Sequence, residues 1–591
     1  MPTLKNAATK HADTLSDFTQ DKRILMLSLM AIVIGALSTI VSYALIWLIA
    51  VISNFAFYQV YGTILLSPQY NRLGIFVIAV PVLGGLIIGF VARYGSEKIR
   101  GHGIPEALEA ILFGRSRMDI KVAILKPISS AISIGTGGPF GAEGPIIMTG
   151  GAFGSLFAQL FHLSAAERKT LLVAGAAAGM SAIFASPIAS ILLAVELLLF
   201  EWKPRSFIPV AIASMVAGVL RVPLLGTGPM FAVAGHTSLP QETYIYAFAL
   251  GIVAGLGSGL LTLLVYGFEE MFERLPLHWM WWPAIGGVFV GIGGYIDPRV
   301  LGVGYDLIHD LLKGNILGPA LLGLLIGKCV VWSISLGSGT SGGVLAPLLM
   351  MGGALGALGA SFLPTGDAGL WATVGMAAMM SGMMRSPLTG SIFAVELTHD
   401  FTLLPAVFAA SIAAYLTTVL VMRRSILTQK VAHRGYHITR EYSIDPLSMV
   451  RVGQMMDENP PIVPSSMKLS ELSRRITDSD AMLSRRHGIL IVDEHRKLMG
   501  IITRGDLLRA VQDNAANETT VLEWCHRDVI TAFPDEPLSD AMAKMVQHDI
   551  GRLPVVSRED DRRIVGYIGR GSILAAYQTR HEEEHVRERS F

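Results

Sequence analysis

Glu143 is the one Asp, Glu, Lys or Arg between Lys126 and Glu167, in the run Gly135-Thr-Gly-Gly-Pro-Phe-Gly-Ala-Glu-Gly-Pro145. Glycines on either side free the backbone to present N–H groups, and Pro145 suits the first turn of a helix. The segment reads as a loop feeding a helix N-terminus, where backbone dipoles attract negative charge. A carboxylate there has two readings: a permanent N-cap, or a movable anion mimic that competes with a soluble anion for the same amides. The glycine-rich setting favours the second. A second loop, Gly337-Ser-Gly-Thr-Ser-Gly-Gly-Val-Leu-Ala-Pro347, also precedes a helix and carries no charge, and a third is Gly101-His-Gly-Ile-Pro-Glu106. Three such helix starts without a matching density of Lys and Arg point to an anion held by backbone dipoles. Dipoles bind without the deep trap of a full positive charge, so the ion can leave again.

Two other motifs carry chemistry on paper. His581-Glu-Glu-Glu-His585 has the spacing of a zinc protease, but it sits in a charged tail with no third ligand, and reads as a solvated helix. Gly339-Thr-Ser-Gly342 resembles the serine motif of rhomboid intramembrane proteases. With Ser341 as nucleophile, that enzyme needs a histidine base in a later membrane helix. His399, beside Asp400, is the one later candidate, and the reading stays as a distant alternative.

These residues must be positioned by a chain of 591 residues with 16% charged residues, 52% hydrophobic residues and a mean hydropathy of +0.52. Soluble proteins carry about a quarter charged residues. Residues 436–591 hold 46 of the 93 charges, 21 basic and 25 acidic, and the rest are spread thinly over the first 435 positions. That excludes a uniform soluble globule, a disordered chain and a collagen-like one. It favours a polytopic membrane domain followed by a soluble one. A net charge of +1 gives no field for nucleic acid. Cys329 and Cys525 lie far apart and read as lone thiols, not a disulfide framework. Residues 1–23 are polar, with Lys5, Lys10, Lys22 and Arg23, and read as a cytoplasmic segment rather than a signal peptide.

The apolar run from Ile24 to about Phe57 is too long for one upright span, so it is tilted or extended. Many of the apolar stretches after it fall short of the ~20 residues a crossing needs and are interrupted by Gly, Pro and Ser. Broken helices at membrane depth line cavities, as in transporters and channels. An internal repeat sharpens this. Ser181-Ala-Ile-Phe-Ala-Ser-Pro-Ile-Ala-Ser-Ile-Leu-Leu-Ala-Val-Glu-Leu197 returns 200 positions later as Ser381-Gly-Met-Met-Arg-Ser-Pro-Leu-Thr-Gly-Ser-Ile-Phe-Ala-Val-Glu-Leu397. Gly144-Pro-Ile-Ile-Met-Thr-Gly-Gly-Ala-Phe-Gly154 likewise matches Ala346-Pro-Leu-Leu-Met-Met-Gly-Gly-Ala-Leu-Gly356. Corresponding broken segments in two halves put a substrate site between them. The sequence leaves open whether the halves are inverted or parallel. After Arg423 and Arg424 the chain alternates short strands with amphipathic helices, twice, with strand pairs at 488–493 and 498–503 and at 553–556 and 564–568.

In order, Gly101-His-Gly-Ile-Pro105, Gly141-Ala-Glu-Gly-Pro145, Gly343-Val-Leu-Ala-Pro347, the Ser-Pro…Val-Glu blocks and Ser425-Ile-Leu-Thr428 resemble the CLC family of chloride channels and proton-coupled chloride antiporters. The resemblance spans roughly residues 25–430. It implies an inverted repeat, a homodimer and a pore in each subunit. It also implies Glu143 as the gating glutamate, with the amides around Gly144, Val344 and Leu345 facing the anion. Around the anion path the chain departs from the family pattern at four positions. His102 replaces the usual serine of the first loop, Leu427 the usual pore tyrosine, Leu345 the usual phenylalanine and Ala142 the usual basic residue. His102 is left as the one side-chain donor of those positions, with a helix-cap histidine as its alternative reading. Facing the ion, it would tie transport to pH. Glu196 aligns with the first of the family's inner Glu-Glu pair, and the proton acceptor falls at Leu197, which cannot carry a proton. That favours passive conduction. Glu196 and Glu396 recur as a repeat pair and read as structural groups at helix ends.

The C-terminal pair resembles CBS domains, which in that family bind adenine nucleotides and regulate the pore. In the first copy, Gly500-Ile-Ile-Thr-Arg-Gly-Asp506 fits the ribose-binding pattern, with Asp506 for the ribose hydroxyls and Thr503 for phosphate. The second, Gly566-Tyr-Ile-Gly-Arg-Gly-Ser572, lacks both groups. One site at most is expected, against an empty regulatory module.

The sequence therefore predicts an all-α polytopic membrane domain of broken helices, followed by a soluble α/β CBS pair. The expected divisions are an N-terminal segment 1–23, a transport domain 24–430, CBS copies at 449–513 and 522–577, and a charged tail 578–591. The expected function is a glutamate-gated channel or passive transporter for chloride, not an enzyme, with CBS regulation. Open beside it are a proton-coupled antiporter with another proton route, and carriage of bicarbonate, nitrate or fluoride. A CBS-regulated cation transporter would need clustered acidic residues in the membrane. No cofactor is required, and an adenine nucleotide (ATP, ADP or AMP) is the expected ligand of the CBS pair. Partners are the anion, protons, membrane lipids and a second copy. The expected location is a prokaryotic plasma (inner) membrane with the CBS domains cytoplasmic.

Overall fold

The computed structural model describes residues 23–233, 235–433, 450–478, 488–512 and 519–585, together with Leu447 and Leu483. The chain forms two compact units, which divide at Gly435/Tyr436. The N-terminal segment falls almost wholly outside the described residues, as do the side chains of the His581–His585 motif.

The first unit is helical. Its opening helix, Arg23–Tyr58, runs 36 residues. At ~1.5 Å per residue this exceeds the ~30 Å bilayer core. Among the described residues, five helices are long and apolar enough to cross a membrane, and others, such as Leu345–Ala360 and Ala368–Met384, are shorter. The repeat read from two sequence blocks extends to whole helices. Ile104–Leu112, Ile120–Gly135, Glu143–Gln159, Ala165–Phe184 and Pro204–Leu220 recur as Tyr305–Leu312, Pro319–Gly337, Leu345–Ala360, Ala368–Met384 and Leu404–Val421. Small residues let matched pairs approach backbone to backbone. A Cβ on Gly150 would lie 2.3 Å from the Gly175 carbonyl, and one on Gly352 2.5 Å from that of Gly375.

The halves grip each other reciprocally. Gly101 N donates to Gly339 O (3.3 Å), and Gly302 N donates to Gly137 O (3.0 Å). The Glu396 carboxylate accepts from Ile188 N (3.0 Å) and Ala189 N (2.7 Å), at the start of the helix opened by Pro187. Glu196 returns the contact, accepting from Leu388 N (3.2 Å), Thr389 N (2.7 Å) and the Thr389 hydroxyl (2.6 Å). Each repeat glutamate thus caps the other half's broken helix, where orphan N–H groups would otherwise be buried.

A second matched pair went unread in the sequence. Lys126 and Lys328 are fully buried. Lys126 Nζ donates to Ile99 O (2.8 Å) and Gly101 O (2.7 Å), and Lys328 Nζ to Val300 O (3.1 Å) and Gly302 O (2.8 Å). The depletion of fixed charge is therefore not complete: two ammoniums stand behind the glycine loops and pin their carbonyls. Replacing Lys328 by Met leaves two buried acceptors unpaired, each worth about 1–3 kcal/mol. The variant is expected to melt clearly below the wild type in detergent, as read by thermal unfolding on a sizing column. An unchanged melting temperature would show that the loop does not depend on the ammonium.

In the second unit, β1 (Ile462–Pro464) pairs parallel with β2 (Gly488–Val492), which pairs antiparallel with β3 (Leu498–Thr503); β4 (Arg552–Val556) pairs antiparallel with β5 (Ile564–Gly569). The strand pairs fall where the alternation placed them. The Tyr567 hydroxyl donates to Gly488 O (3.0 Å) and Lys497 pairs with Asp560 (2.9 Å), joining the two copies.

Candidate functional site

The glycine loops of the two halves meet at Gly141 and Gly343, which form an isolated antiparallel bridge (Gly343 N to Gly141 O, 2.8 Å). Helices Glu143–Gln159 and Leu345–Ala360 start immediately after it. The Glu143 side chain is fully buried and folds back over the bridge. Its Oε1 accepts from Ala346 N at 3.0 Å, so it caps the opposite half's helix rather than its own. A Cβ on Gly141 would fall 1.9–2.3 Å from the carboxylate atoms, and one on Gly343 2.4 Å from Oε2. Glycine at these two positions makes the space that the carboxylate fills. Its second oxygen, Oε2, is buried without a hydrogen bond.

The third loop closes on the same point. A Cβ on Gly144 would lie 2.1 Å from the His102 carbonyl oxygen and 3.2 Å from Gly343 Cα. His102 is buried (4% exposed), and the group it sets against Gly144 is its backbone carbonyl. The structure therefore brings Glu143, Gly144, His102, Val344 and Leu345 together at one junction. Val344 and Leu345 are fully buried at the helix start. Ala346, the donor that holds the carboxylate, was not singled out in the sequence. Its signal was available: with Leu345 the first helical residue, the amide one further on is a usual N-cap donor. Leu427 is buried in the first turn of Ile426–His433, a helix packed against Ile104–Leu112 and Ala368–Met384. The Tyr266 hydroxyl beside it is spent on Ile426 O (2.5 Å).

The alternatives find less support. The Ser341 hydroxyl pairs with Ser130 Oγ (2.8 Å) rather than an imidazole, while His399 lies against Phe401. Among the described residues no group of three or more His, Cys, Asp or Glu is arranged to hold a metal ion.

In the second unit, Thr503 and Asp506 are joined. Asp506 Oδ2 accepts from Thr503 N (2.8 Å) and Oγ1 (2.6 Å), while Oδ1 meets Arg509 and His526 Nε2 (3.2 Å). Burial pushes the carboxyl up, but the Thr503 bonds, Arg509 and His526 together hold it below its ordinary value. It is therefore ionised at neutral pH and accepts hydrogen bonds only. The stability it contributes is present at neutral pH and lost as pH falls through its lowered pKa.

Comparison with known proteins agrees with this architecture. The family model described as voltage gated chloride channel matches residues 84–419, and the CBS domain model matches 452–513 and 521–579. The H(+)/Cl(-) exchange transporter ClcA of Salmonella arizonae is 30% identical over 403 residues, covering 65% of this chain and 84% of the relative. Among solved structures, a slow cyanobacterial Cl-/H+ antiporter superposes with a TM-score of 0.63 at 19% identity, covering 70% of this chain and 99% of the other. A eukaryotic CLC transporter does so with a TM-score of 0.61 at 18% identity, covering 93% and 98%. The two halves that converge on Glu143 and the αβ pair that follows are thus shared in kind and in order with known proteins, and the chain belongs to the CLC family of membrane anion transporters, with a tandem pair of CBS domains.

Proposed function

We propose that the chain conducts chloride passively, with Glu143 as a movable occupant of the anion's own place. One contrast carries the reading. Glu196 and Glu396, which cap helices permanently, have both carboxylate oxygens engaged by backbone amides. Glu143 has one oxygen bonded and the other buried with nothing. A half-satisfied buried carboxylate is poorly held. A small anion arriving at the Ala346 amide and the helix start competes with it on favourable terms. The amides of Gly144, Val344 and Leu345 and His102 line the route on this reading, with Leu427 as an apolar wall. Bicarbonate, nitrate and fluoride remain competitors to chloride. Proton-coupled exchange is the second reading, favoured by the similarity to the Salmonella H(+)/Cl(-) exchange transporter. An anion-replacement flux assay in liposomes, with simultaneous proton readout, separates these.

We further propose a homodimer in a prokaryotic inner membrane, with residues 24–430 as the transport domain. The copies at 449–513 and 522–577 are the regulatory pair, binding an adenine nucleotide through Thr503 and Asp506. Because Arg509 and His526 already engage Asp506, a ribose must displace them, and binding is expected to be modest. ATP or AMP should raise the melting temperature of the second unit in the full chain, and Asp506→Ala should remove that rise. A nucleotide response that survives Asp506→Ala would move the site elsewhere, and no response in the wild type would favour the empty module.

A further inference from the structure

The first-loop serine and pore tyrosine of the family pattern are His102 and Leu427 here, so two hydroxyls that would face an anion are missing. A buried hydroxyl that the sequence did not single out lies beside the same junction. Tyr305 opens the helix Tyr305–Leu312 after Gly302-Val-Gly, the second half's counterpart of Gly101-His-Gly. Its ring packs edge-on to Phe184 (6.4 Å between centroids) and tilted against Phe231 (6.0 Å). The ring is partly exposed, but the hydroxyl oxygen is buried and makes no hydrogen bond. It faces the backbone N–H of Ala142, the residue next to Glu143. Glu143 Oε2, likewise buried, is also without a hydrogen bond. Two unmet buried groups at one junction, one a donor and the other anionic, are not accounted for by packing.

We propose that Tyr305 is a specificity-determining residue: its hydroxyl donates to the anion that takes the place of the Glu143 carboxylate, and supplies a hydroxyl where His102 and Leu427 have none. The inference rests on the reading of Glu143 as a movable occupant. A hydroxyl donor favours a compact, strongly hydrated ion over a diffuse one, so its loss falls harder on chloride than on nitrate. Tyr305→Phe removes the oxygen and keeps the ring. In liposomes, the chloride-to-nitrate flux ratio of Tyr305→Phe is expected to fall about tenfold, the worth of one charge-assisted hydrogen bond. The same fall is expected in a Glu143→Gln background. Phe231→Leu, which disturbs the ring's packing and leaves the hydroxyl, is expected to keep the wild-type ratio. A wild-type ratio in Tyr305→Phe, with Glu143→Gln still altering the pH profile, overturns the role of Tyr305 alone. An equal shift in Phe231→Leu overturns it too, by assigning the effect to packing. A wild-type pH profile in Glu143→Gln overturns the reading of Glu143 on which the inference stands.

Discussion

Replacing Glu143 by Gln is expected to abolish the dependence of anion flux on pH between about pH 4 and pH 8. In the wild type the ionised carboxylate holds the Ala346 amide and fills the space over Gly141 and Gly343. Protonation removes its charge, and with it the charge-assisted part of the bond, so a permeant anion displaces it more easily. Flux in the wild type should therefore rise as pH falls. A hydrogen bond to a charged group is worth about 1.5–3 kcal/mol, which corresponds to a change on the order of 10- to 100-fold in occupancy. Glutamine has nearly the same shape and no charge, so Glu143→Gln should run at the wild type's acid-limit rate at every pH. Glu143→Ala, which also empties the space, should run at least as fast. The measurement is chloride efflux from liposomes across the pH range. If the variant retains the wild-type rise with acid, another group titrates and the carboxylate is a permanent cap.

Why Glu143 is distinguishable from an ordinary cap was only partly legible in the sequence. Its isolation among uncharged residues and its glycine-rich setting marked it as a residue at a helix start. Which amide it would find was not written locally. The donor lies 203 positions away in the other half, and only the docking of the two repeats brings it near. The same holds for Glu196 and Glu396. Their recurrence in the repeat read correctly as groups at helix ends, but the crossed pairing is a tertiary fact. The broken helices and the strand pairs of the C-terminal unit were legible because they follow from local pattern: glycine and proline interruptions for the first, short apolar runs on either side of a polar turn for the second. Lys126 and Lys328 were missed for a different reason. A lysine in an apolar helix is usually discounted as one that snorkels, and only the repeat alignment, extended beyond its two clearest blocks, would have paired them. Tyr305 carried no motif at all. It became visible through an unmet hydroxyl beside an unmet carboxylate oxygen.

Chloride flux down its gradient in liposomes is expected to move no stoichiometric quantity of protons. Coupled exchange needs a second group that takes up and releases a proton near neutral pH. At the position where the family pattern places it stands Leu197, fully buried. Its neighbour Glu196 is committed to the Leu388 and Thr389 amides, so protonating it would uncap the opposite half's helix. Glu201, four residues beyond Leu197 in the turn before Pro204, is the next carboxylate. Burial pushes it up, but Lys169 at 3.7 Å, the Ser206 hydroxyl at 2.7 Å and Lys203 at 3.1 Å together hold it below its ordinary value. A carboxyl held low stays ionised through the physiological range and makes a poor proton carrier. Proton movement against its gradient, driven by a chloride gradient, would overturn passive conduction in favour of exchange. That result would also single out Glu201, because its lysines are what keep it ionised. Lys169→Met would then be expected to bring its pKa toward neutrality and raise the proton-to-chloride ratio, whereas a carrier elsewhere would leave that ratio unchanged.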